Sequence, residues 1–76
     1  MKMETMADLE FAVEMAIKEN KSLSLLITLP GLESPEMITN PVENLEKKLE
    51  YYKNTYGDNL EHRHAKGIKI VGYSIG

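Results

Sequence analysis

Cysteine is absent from the 76 residues, which excludes disulfide staples and thiolate metal sites. No strongly apolar run is longer than Leu25-Leu26-Ile27, far short of the roughly 20 residues a membrane-spanning helix needs. The first residues, Met1-Lys2-Met3-Glu4, lack the apolar core of a signal peptide and turn acidic at once, so cytoplasmic residence is expected. Catalytic templates are missing too. No thiol nucleophile exists, and the serines at 22, 24, 34 and 74 have no motif around them. The glycines at 57, 67, 72 and 76 are spread through turn and strand positions and form no phosphate-binding loop. Carboxylates are many, but they occupy helix exteriors. The chain therefore reads as a non-enzyme with no catalytic residues, no metal and no cofactor.

What remains is the composition of a folded domain. Apolar residues make up 42% and charged residues 28%, a balance that argues against wholesale disorder. Residues 1–76 form one domain, and a chain this short buries only about 60–65% of its unfolded surface. A small core alone, or a core completed by self-association, has to suffice. The net charge of −3 speaks against a dedicated duplex-DNA binder. Residues 1–40 carry three basic and seven acidic side chains, and residues 41–76 six basic and five acidic, so an anion-binding surface belongs in the C-terminal part.

The 3.6-residue period predicts a helix over 4–19, with Met6, Leu9, Val13, Ala16 and Ile17 on one stripe. Phe11 and Met15 point to nearly the opposite side and form a second apolar face, suited to an interface or to packing within the domain. Asn20 suits a left-handed C-cap. Leu23–Leu29 alternates as a strand with one aliphatic face, and Pro30-Gly31 ends it. Residues 30–40 read as a long loop whose Leu32, Met37 and Ile38 can dock on a partner or on the domain itself. A second helix is expected over 41–56, capped by Asn40 with Pro41 at its first position and Glu43 closing a capping box. Its stripe is Val42, Leu45, Leu49, Tyr52 and Tyr56, and Gly57 closes it. Leu60–Ala65 then reads as a short strand, turned by Lys66-Gly67 into a last strand over 68–75 that should be central or covered on both faces. Gly72 marks a bulge or a close backbone approach. Residues 58–64 as a further helical turn are the alternative. The fold class is α+β: two helices on a small, mostly antiparallel sheet of about three strands.

Candidate ligand-binding residues follow from charge and aromaticity. In a strand, His62 and His64 share a face while Arg63 points away. Together with Lys66 they suit an anion; two imidazoles alone do not make a zinc site. Tyr51 flanks the helical stripe beside Lys47 and Lys48, where it can stack on a base or meet a protein. A plain solvated polar strand is the alternative for the histidine group, and a partly exposed tyrosine covering the core edge is the alternative for Tyr51.

Asn40-Pro41-Val42-Glu43-Asn44-Leu45, Lys48-Leu49-Glu50-Tyr51-Tyr52-Lys53, Tyr56-Gly57-Asp58-Asn59-Leu60 and Gly67-Ile68-Lys69-Ile70-Val71-Gly72-Tyr73 together resemble small phage and prophage proteins of Gram-positive bacteria. That family has no assigned activity to carry over. The resemblance covers about half the chain and implies a phage accessory protein in the host cytoplasm that acts by binding. The expected function is to counter host defence as a homo-oligomer that sequesters a nucleotide immune signal, with Lys47, Lys48, Tyr51, His62, Arg63, His64 and Lys66 as ligand residues and Phe11 and Met15 as the interface. A protein-binding inhibitor of a host enzyme, and a structural or regulatory phage protein, are the alternatives.

Overall fold

The computed structural model describes residues 2–76. Its elements are α1 (Met6–Glu19), β1 (Leu23–Thr28), β2 (Glu36–Asn40), a 3-10 turn over Val42–Asn44 that leads into α2 (Leu45–Thr55), and β3 (Lys69–Ile75). The sheet runs β2-β1-β3, antiparallel throughout. The expected α+β architecture is therefore the one observed, with two helices on a three-stranded sheet.

Local chemistry explains why the elements stop where they do. Thr5 caps α1: its hydroxyl accepts from the Asp8 N–H, and the Asp8 carboxylate reaches back to the amides of Glu4 and Thr5. Those two amides hold the Asp8 carboxyl below its ordinary range. At the other end Asn20 adopts φ 55° and its N–H bonds back into the last turn, as expected. In β1 the odd residues Leu23, Leu25 and Ile27 are buried against the helices and the even ones are half-covered. The core joins them to Met3, Met6, Leu9, Ala12, Val13 and Ala16 on the α1 side, and to Leu45, Tyr52, Tyr56, Leu60 and Ile70. Ala12 takes the place expected for Ile17, which lies at the solvent edge of the stripe. The stripe expected of a 41–56 helix does face the core, but Val42 lies in the 3-10 turn and Tyr56 just past α2, and Val42 and Leu49 pack on the cluster from its margin.

Several expectations are corrected. Residues 36–40 are not loop but β2, paired with β1 from Leu23↔Asn40 to Ile27↔Glu36. Residues 36–39 of this edge strand are all exposed, so no burial alternation marks it. Conversely, Leu60–Ala65 is not a strand. It makes only isolated bridges, Tyr56↔His62 and Glu61↔Lys69, because Leu60 sits at φ 66° and breaks the extended run. Neither is it a helical turn continued from α2. Beyond Leu60 the His62 Nδ1 accepts from the N–H groups of His64 and Ala65, which curls the chain. β3 lies at the sheet edge, and β1 is central. The outer side of β3 is nonetheless covered: Lys2 bridges Gly72, Met3 N–H donates to the Val71 carbonyl and Ile70 N–H to the Leu60 carbonyl. Leu26 faces Gly72 and Ile27 faces Ile70, so Val71 is the extra residue of a bulge beside Gly72.

Asn40 is no N-cap. It is 2% exposed at the end of β2, donating to the carbonyls of Leu23 and Ile38 and accepting from the Tyr52 hydroxyl at 3.1 Å. With Asn40 committed to the core, neither the 3-10 turn nor α2 receives a side-chain cap, and no capping box forms at Glu43. Gly57 likewise stays out of the left-handed region; the extended Tyr56 ends α2, and Gly57 N–H donates to the Glu61 carbonyl.

Candidate functional site: an apolar groove between α1 and β3

α1 turns its small residues to the sheet. Ala12 and Ala16 allow close approach, and Phe11 then falls on the flank of the helix, 60% exposed. On β3, Tyr73 pairs with Leu25 and Ile75 with Leu23, which places both on the helix-bearing face of the sheet. They remain half-buried, because α1 does not reach over this end of the strand. A cavity of about 470 Å³ is left, lined by Phe11, Met15, Tyr73, Ser74 and Ile75. Four of its five lining residues are large and apolar or aromatic. Such a groove can accept an apolar side chain.

Phe11 and Met15 are thus brought together as a second apolar face, and β3 completes it. Tyr73, Ser74 and Ile75 carry no sequence motif that marks them as site residues. The signal for Tyr73 and Ile75 was their period of two, but the face they share depends on a bulge at Val71.

The seven expected ligand residues are placed differently. Lys47, Lys48 and Tyr51 project from α2, with Tyr51 51% exposed and the Lys48 Nζ 5.1 Å from its ring centre. His62, Arg63, His64 and Lys66 lie in the irregular segment that follows. Two of these have structural duties. The His62 Nδ1 is occupied by two backbone donors, and Arg63 donates to the Lys53 carbonyl in the last turn of α2, where a cation offsets the helix dipole. A run of edge-to-face and tilted rings links the two groups: Tyr51 to Tyr52, Tyr52 to Tyr56, Tyr56 to His62 and His62 to His64, each 5.3–6.2 Å apart. Burial, reinforced by neighbouring tyrosines, raises the hydroxyl pKa of Tyr52 and Tyr56 above the ordinary value. None of the seven lines the groove. Two smaller cavities, at Thr28–Lys69 and along Glu46–Asn54 of α2, do not include them either. Among the described residues no three of His, Asp and Glu gather to hold a metal ion, and no helix is long and apolar enough to cross a membrane.

No protein-family model, curated protein or solved structure matches this chain.

Proposed function

We propose that this chain is a non-enzymatic binding protein whose working surface is the groove between α1 and β3. The observation that carries this reading is Phe11: a large apolar ring left exposed beside a concavity lined by Met15, Tyr73 and Ile75. Its partner is a protein that inserts an apolar side chain into that concavity. This favours the protein-binding inhibitor over nucleotide sequestration. The setting, an accessory protein that counters a host defence, rests on the phage resemblance alone.

Capture from host lysate with the wild-type chain and with Phe11→Asp is the test. The variant is expected to lose the captured protein while melting within a few degrees of wild type, since an exposed position contributes within about 0.5 kcal/mol. A protein held equally by both would remove the groove from consideration. A second reading, nucleotide binding, is supported by the exposed Tyr51 ring with Lys48 over it. Saturating nucleotide would then raise the melting temperature, and Tyr51→Ala would abolish the rise.

A further inference from the structure

The outer edge of β2 has a specific hydrogen-bonding pattern. Gly76 N–H donates to the Ser22 carbonyl, so the even-numbered residues of β1 turn their backbone groups toward β3. The odd residues Leu23, Leu25 and Ile27 turn theirs toward β2, where they face Asn40, Ile38 and Glu36. Along β2 the groups that point away from β1 are therefore the N–H and C=O of Met37 and Thr39. The next outward positions on either side are Pro35 and Pro41, which have no N–H to offer.

We propose that this edge binds a second copy of the same edge, antiparallel about a two-fold axis at Ile38, to give a six-stranded sheet. In that register Met37 of each copy meets Thr39 of the other, and every outward N–H finds a carbonyl. Sliding by two residues in either direction sets Thr39 against Pro35 or Met37 against Pro41 and loses a donor, so the prolines select one register. Charge agrees, because Glu36 meets Asn40 and not another Glu36. Ile38, 40% exposed, meets its own counterpart in the close non-hydrogen-bonded pair at the axis, and Met37, 59% exposed, is covered on the other face. Among the described residues nothing pairs with this edge, and it carries two apolar residues and no lysine to discourage pairing. The opposite edge is already covered, β3 being met by Lys2, Met3 and Leu60. Each copy thus offers one edge, and association closes at two. The groove lies on β3, at the far edge from β2, so this pairing and the groove reading stand or fall separately.

Light scattering and amide exchange on the full chain test the pairing together. At about 500 µM the expected mass is twice the 8.6 kDa of one chain, and the Met37 and Thr39 amides exchange about tenfold more slowly than in dilute solution. Ile38→Lys, which sets two cations at the axis, is expected to return the mass to 8.6 kDa with the far-UV spectrum unchanged, while Phe11→Asp stays dimeric. A monomer at that concentration, with fast Met37 and Thr39 amides, overturns the proposal. So does a dimer that keeps those amides fast, or that survives Ile38→Lys and is lost on Phe11→Asp. Should Ile38→Lys fail to fold, exchange in the unmodified chain decides the question alone.

Discussion

Among the described residues the Tyr52 hydroxyl is the only donor to the Asn40 Oδ1, and both groups are buried. Tyr52→Phe removes that donor and keeps the ring. The amide oxygen is then left without a partner, a loss of about 1–3 kcal/mol for a buried polar group. Total stability for a chain of this length is on the order of 4–11 kcal/mol. One hydroxyl thus represents a substantial part of the whole, and at about 4–8 °C per kcal/mol the melting temperature should fall by roughly 4–24 °C. Asn40→Asp should be worse, since it sets an oxygen where the Nδ2 donates to the Leu23 carbonyl. Urea denaturation of wild type, Tyr52→Phe, Asn40→Ala and the double variant completes a cycle, and residues in direct contact should couple by about 1 kcal/mol. A Tyr52→Phe variant within about 0.3 kcal/mol of wild type, with no coupling, would show that this junction does not hold β2 to α2.

Two further outcomes follow from the same structure. Gly67 has φ +85°, and a Cβ there would lie 3.1 Å from the Pro30 Cγ, whereas Gly31 has φ +82° with open space around it. Gly67→Ala should therefore cost more than Gly31→Ala, which carries only the backbone strain of about 1–2 kcal/mol; equal melting temperatures would discount the Pro30 contact. The second concerns alkaline pH. Burial keeps the protons on Tyr52 and Tyr56 above the ordinary pKa of 10, so the folded chain binds more protons than the unfolded chain in that range. Stability is fully present below pH 10 and falls as pH rises through the folded values. Melts from pH 8 to 11 should show that decline, and Tyr56→Phe should flatten it.

How far the sequence could be read depended on where each signal was stored. α1 and β1 were legible because their partners lie on one side only, so burial prints a clean period of 3.6 or 2 on the residues. Asn20 was legible as a cap because the left-handed backbone is a local property. The role of Asn40 is not legible, for the opposite reason. Asn-Pro before an apolar run is the usual start of a helix, but here tertiary demand from the Leu23 carbonyl and the Tyr52 hydroxyl took the side chain first. β2 was hidden because an edge strand with both faces exposed has no alternation to show. The segment 60–65 has strand-like composition, yet Leu60 is buried at positive φ, and no local rule favours that conformation in leucine.

The candidate site repeats this division. Phe11 and Met15 were visible from the helical period alone, being residues the core stripe could not use. The β3 half of the groove depends on a bulge, and the register of β3 after Val71 is set by pairing with β1 and not by its own composition. Charge and aromaticity pointed instead to His62 and Arg63, residues whose hydrogen bonds fasten the segment after α2 to that helix and to itself. Basic residues are conspicuous in an acidic chain whether they bind a ligand or end a helix. An apolar ring left in water beside a groove is harder to account for within the fold, since its exposure is unfavourable and other residues build the core around it. For that reason Phe11, and not the histidine cluster, is where a partner should first be sought.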